Sequence, residues 1–119
     1  MDSGRGKIIG KWGEDQACAF LIRHGFFVKE RNFYSTVGEL DIIAQKGEDY
    51  YFVEVKTRAI GDLATDLSIT AVKKHKMGKT VRKYCYQRNI PETGIILAGL
   101  IVVYNRLLQK TTFRFAVFI

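Results

Sequence analysis

The chain has 119 residues, 47% of them hydrophobic, and a mean hydropathy close to zero. That suits a single folded domain over residues 1–119 and excludes both a disordered segment and a second domain. Nineteen Lys and Arg against twelve Asp and Glu leave a net charge of +7, which favours a polyanionic partner, nucleic acid ahead of an anionic membrane.

Gly10 to His24 has helical periodicity, with Ala17, Cys18 and Leu21 inward and Lys11, Asp15 and Arg23 on the opposite side. Glu14 precedes the apolar set by three, four and seven residues and so projects from the same stripe. Gly25 is a stop signal, and Phe26 to Phe33 reads as a short strand. Gly38–Gln45 and Asp49–Thr57 read as two strands joined by a tight hairpin at Lys46-Gly47-Glu48. A loop is expected from Arg58 to about Ile69. A second helix is expected from an N-cap at Thr70 to Arg88, with Pro91 preventing its continuation and Met77, Val81, Tyr84 and Cys85 as its inner stripe. Ile95–Tyr104 and Thr112–Ile119, dense in branched and aromatic residues, are expected to be buried strands.

The order α-β-β-β-α-β-β predicts an α/β fold, a mixed central sheet flanked by helices. The first three strands can form a meander, and the second helix can carry the chain across to a further strand. No apolar run reaches the ~18 residues of a membrane span, and the polar start Met1–Lys7 lacks the apolar middle of a secretion signal, so a cytoplasmic protein with no membrane partner is expected. Cys18 and Cys85 belong to no Cys/His cluster and are expected as buried, reduced thiols. His24 and His75 are isolated and receive no role. Gly6 to Lys11 is one residue short of a P-loop, lacks Ser or Thr after its lysine and follows no strand.

The charges inside the apolar strands carry the chemical argument. Alternation places Glu39, Asp41 and Ile43 on one face of their strand and Leu40, Ile42 and Ala44 on the other. On the next strand Phe52, Glu54 and Lys56 share a face, and a suitable hairpin register brings Asp41, Glu54 and Lys56 together. Glu14 can join them if the first helix packs on that side. Two close carboxylates repel unless a cation lies between them, and Mg2+ or Mn2+, a hard ion that keeps waters for a phosphate, suits that gap. Lys56 would orient a water or neutralise charge on phosphorus. Taken alone, Glu54-Val55-Lys56 equally describes an exposed ion pair worth under ~1 kcal/mol. What strengthens the reading is matching faces on adjacent apolar strands, with a third acid on a helix's inward stripe.

These segments also resemble a known family. Gly10-x-x-Gly13-Glu14-x-x-Ala17, Arg31-Asn32, Gly38-Glu39-Leu40-Asp41-Ile42-Ile43-Ala44, Phe52-Val53-Glu54-Val55-Lys56-Thr57-Arg58 and Thr70-x-x-Lys73 occur in the order and spacing of the YraN-like family of uncharacterised bacterial proteins. That family is a branch of the PD-(D/E)xK restriction-endonuclease-like superfamily and is similar to the archaeal Holliday-junction resolvases. The resemblance implies a restriction-endonuclease-like core, Asp41 and Glu54 as metal ligands, Lys56 as catalytic lysine, Glu14 as a further catalytic acid, and a homodimer. Glu39 is an accessory acid in the same strand. One departure is evident: where the family carries Arg-Phe-Asp entering the fourth strand, this chain has roughly Ala98-Gly99-Leu100.

On the second helix Lys73, Lys76, Lys79 and Lys83 fall near one stripe, with Lys74, Arg82 and Arg88 beside it and no acid between Thr70 and Arg88. Like charges at helical spacing repel, and an anionic partner relieves that. The stripe is expected to track nucleic-acid phosphates. The reading is a Mg2+- or Mn2+-dependent endonuclease acting on DNA ahead of RNA, with branched or junction DNA as candidate substrates. The alternative is a non-catalytic nucleic-acid-binding module that retains the nuclease fold.

Overall fold

Helix α1, Ser3–Arg23, ends because Gly25 takes a left-handed φ of 87°. Phe26 N–H then donates to Leu21 O (3.0 Å) and Gly25 N–H to Ile22 O (3.1 Å), the paired bonds of a Schellman stop. Helix α2, Ala71–Arg88, ends in the same way on Asn89 (φ 57°), with Ile90 N–H donating to Cys85 O at 2.9 Å and Pro91 just beyond. The computed structural model describes residues 3–59 and 71–118, with side chains from Ile9 onward. The expected N-cap at Thr70 and most of the expected loop lie outside the described residues. Arg58 and Ala59, expected in that loop, instead extend the third strand, because they pair with Val103 and Tyr104.

The strands are β1 (Phe27–Ser35), β2 (Gly38–Lys46), β3 (Asp49–Ala59), β4 (Ile95–Asn105) and β5 (Lys110–Val117). They form one sheet in the order β1-β2-β3-β4-β5, antiparallel except for the parallel pair β3–β4, which α2 connects. This is the expected α-β-β-β-α-β-β order and mixed sheet. The β2–β3 hairpin closes Lys46 on Asp49, with Gly47 at a φ of 63° where a two-residue turn needs a left-handed residue.

Each face of the sheet buries its own apolar cluster. Ala17, Cys18 and Leu21 of α1 pack on Ile42, Ala44, Val53, Leu100 and Val102. Val81, Tyr84 and Cys85 of α2 pack on Phe33, Ile43, Phe52 and Leu97. Both cysteines are buried free thiols, and burial pushes both pKa values up. The hydroxyl of fully buried Tyr84 donates to Glu30 Oε1 (3.1 Å), and Arg88 holds both oxygens of Glu30, at 2.9 and 2.7 Å. β5 corrects an expectation: as an edge strand it has no fully buried residue, and half-buried Phe113 and Phe115 pack against the α1 cluster.

Gly13 fixes how closely α1 approaches the sheet. A Cβ there would overlap the Oγ1 of Thr57, whereas a Cβ on Gly10, one turn earlier, would meet nothing. Gly10→Ala should therefore raise stability by about 0.5–1 kcal/mol through helix propensity. Gly13→Ala should lower it by about 1–3 kcal/mol through overpacking, and adding Thr57→Ala should recover most of that loss. Urea denaturation of the variants measures all of these effects.

Candidate functional site

The register of β1 on β2 shifts by one residue between Val28 and Glu30, and the alternation of faces breaks again further along the pair. Arg31 pairs with Ile42 and Phe33 with Leu40, which puts Asn32 and Asp41 between two matched pairs. Asn32 takes a φ of 55°, a left-handed conformation that asparagine tolerates better than most residues. Residues two apart normally share a face. Here Arg31 turns to α1, while Phe33 packs edge-on to Tyr84 of α2. Leu40 turns with Phe33 into the α2 cluster while Ile42 stays in the α1 cluster, so the expected grouping of Leu40 with Ile42 and Ala44 is corrected.

At this break the β2–β3 ladder ends on the Ile42–Val53 pair. Val55 N–H donates instead to Asp41 Oδ2 at 2.8 Å, so a side-chain oxygen takes over where the backbone acceptors of β2 have drawn away. That bond holds the carboxylate in the seam. Asp41 shares a cleft of about 490 Å³ with Glu39 and Glu54, and Lys73, Lys76, Met77 and Thr80 of α2 form the facing wall. Gly38 lets β2 come close enough to form the cleft, since a Cβ there would lie 2.6 Å from Oγ1 of buried Thr80.

Lys56 follows Glu54 on the same face by alternation, further along β3, and is half-buried outside the residues that line the cleft. Glu14 comes from α1, which packs on the reverse face. Its side chain is 20% exposed and lies 3.6 Å from Arg31 Nη2, which also holds Asp15 at 2.7 Å. On α2, Lys79 is exposed, Lys83 donates to Thr36 Oγ1 (3.1 Å), and Arg88 is taken up by Glu30. The cleft thus gathers Glu39, Asp41, Glu54, Lys73 and Lys76, while Glu14, Lys56, Lys79 and Lys83 stand outside its lining. Sequence reasoning gave no role to Arg31, which neutralises the acids of α1, or to Thr80, whose position among lysines hid its contact with Gly38.

The charge balance at Asp41 is unfavourable. Burial, and then the negative charges of Glu14, Glu54 and Glu39, push its pKa from 3.8 up to about 6, although the Val55 N–H pulls the other way. Among the described residues no three acids, histidines or cysteines come close enough to enclose a metal unaided. A pair of carboxylates in an open cleft still suits Mg2+ or Mn2+, which use one or two carboxylates and fill the remaining positions with water and phosphate oxygens.

The raised pKa has a definite sign. Between pH 4 and 6 the folded chain keeps a proton on Asp41 that the unfolded chain releases, so this group lowers stability as pH rises through about 6. Asp15 and Glu30, whose pKa values are lowered by Arg31 and Arg88, act in the opposite sense. The difference between wild type and Asp41→Asn isolates the Asp41 contribution. In metal-free buffer the variant should match wild type near pH 4 and exceed it by roughly 2–3 kcal/mol at pH 7.5, as measured by denaturation at both pH values.

Comparison with known proteins agrees with the motifs. Residues 13–118 match the model of the uncharacterised protein family UPF0102. A UPF0102 protein of Helicobacter pylori strain P12 is 41% identical over 106 residues, covering 87% of this chain and 90% of its own. Similar proteins are found in Dictyoglomus turgidum (41% over 85 residues, 71% and 72% of the two chains) and in a Nitratiruptor species (36% over 100 residues, 84% and 87%). The match covers the α1 motif from Gly13, both strands of the acidic hairpin, α2 and the last two strands, and the chain belongs to the UPF0102, YraN-like family.

Proposed function

We propose that this protein is a divalent-metal-dependent endonuclease that hydrolyses phosphodiester bonds in DNA, with branched DNA as the substrate class. The observation that carries this reading is the shared cleft: two carboxylates from neighbouring strands, Asp41 and Glu54, face two lysines of α2. Asp41 and Glu54 would hold Mg2+ or Mn2+. When bound there, such an ion acidifies a water and offsets negative charge gathering on phosphorus.

The chain's own groups do the positioning. Val55 N–H fixes one oxygen of Asp41, which leaves the other for the cleft. Lys73 and Lys76 attract the backbone of a nucleic acid to the opposite wall and hold a phosphate against the acids. Lys56, beyond Glu54 on the same face, is the ammonium that would meet the phosphate or its attacking water once a substrate fills the cleft. Arg31 limits the charge that Glu14 and Asp15 impose on the site from the α1 side. Membership in the PD-(D/E)xK superfamily, which the motifs imply, supports the same assignment.

A non-catalytic DNA-binding module is the second reading, favoured by the position of Lys56 and Glu14 outside the cleft lining. Incubation of the protein and Mn2+ with labelled four-way junction, flap and duplex DNA separates the two. A nuclease should cut at least one branched substrate. Asp41→Asn or Glu54→Gln should then reduce the rate by at least ~10³-fold, and Lys56→Ala by roughly a hundredfold. Binding without cleavage, and without heat of Mn2+ uptake, favours the module. Lys76→Glu should weaken DNA binding under either reading and make the salt slope shallower by about 0.9 for each phosphate no longer neutralised.

A further inference from the structure

The β4–β5 turn presents a feature that the cleft does not use. Leu107 and Leu108 at its tip are 93% and 70% exposed, although the tip is firmly built. Asn105 Oδ1 accepts the N–H groups of both leucines, at 3.0 and 3.1 Å, and Gln109 closes the turn with a φ of 48°. Below the tip, Tyr104 stacks edge-on with Trp12 of α1 at 5.7 Å, which anchors the hairpin to the first helix. Two adjacent leucines held in water by their own turn are costly for a protein to keep, because their burial elsewhere is favourable.

Charge indicates what meets them. Arg106 and Lys110 flank the pair, Arg114 follows in β5, and no acid occurs in the chain after Glu92. The tip also lies at the same end of the sheet as the cleft. β2 begins there, β3 and β4 run parallel towards it, and Glu54 pairs with Gly99, six residues before Asn105. At the rise of a β-strand the tip therefore stands roughly 20 Å beyond the acids, a span of about six base steps.

We infer that the Leu107-Leu108 tip is an apolar wedge that enters nucleic acid at a branch point or an unstacked base step, with Arg106 and Lys110 on the adjacent phosphates. Apolar side chains that part a base step need basic groups beside them and a rigid support, and this hairpin supplies both. A branch held by the wedge would place a phosphodiester several steps away over Asp41 and Glu54. The inference deepens the nuclease reading and rests on its nucleic-acid surface, but not on cleavage.

The test uses the whole chain and a four-way junction carrying 2-aminopurine beside the branch, with Ca2+ in place of Mg2+ to avoid turnover. Wild-type protein should raise the fluorescence several-fold as it binds. Leu107→Ser/Leu108→Ser should abolish that rise and weaken junction binding by roughly tenfold, while affinity for plain duplex changes little. Equal fluorescence responses from the two proteins would overturn the wedge and leave the nuclease reading intact. Loss of all DNA binding by the wild type would overturn both. Conversion of a wild-type dimer to a monomer by the double substitution, seen in sedimentation, would reassign the tip to self-association. Binding of the wild type, but not the variant, to anionic phosphatidylserine vesicles, with no junction response, would reassign it to membranes.

Discussion

A carboxylate caught in the seam of the sheet governs the rest of this structure. Asp41 lies where β2 and β3 part, and its Oδ2 takes the Val55 N–H that the ladder no longer satisfies. Replacing a backbone acceptor by a carboxylate keeps the amide satisfied but leaves a charge where water is scarce. The left-handed residue Asn32 is the geometric counterpart, because it lets Arg31 and Phe33 point to opposite faces.

The neighbours of Asp41 increase its charge rather than balance it. Glu14, Glu54 and Glu39 all act to keep it protonated, and Arg31, on the α1 side, is committed to Asp15 and Glu14. Natural folds retain uncompensated, partly desolvated acids chiefly where function requires them. A divalent cation would reverse the sign of this local field and turn a destabilising cluster into a binding site, which links the strain of the seam to the proposed chemistry.

Much of this was legible in the sequence, because the signals are local. The alternation of apolar residues, Gly25 and Pro91 as punctuation and Gly47 in the hairpin defined the elements and their order. Strand parity together with a suitable hairpin register anticipated Asp41 and Glu54 in one cleft, although Lys56 lies outside its lining. Parity failed at Leu40, since a left-handed asparagine on the partner strand is invisible to a count along β2. The placement of α1 on the reverse face was equally beyond periodicity, as an amphipathic stripe does not say which side of a sheet it covers. The Arg88–Glu30 pair joins residues 58 apart, so a helix that looked uniformly basic lost one of its cations to β1. The edge position of β5 is likewise a consequence of topology, which composition does not encode.

Membership in UPF0102 connects this geometry to a family whose chemistry is undefined, and the seam gives that chemistry a physical handle. The most direct test is a carbon-13 NMR titration of the Asp41 carboxyl, with and without Mg2+. The account predicts a midpoint near pH 6 in metal-free buffer, well above the ordinary 3.8, and a large downward displacement when Mg2+ is added. A midpoint near the ordinary 3.8 that ignores Mg2+ would contradict it, because Asp41 would then be an ordinary solvated acid with no cation to wait for.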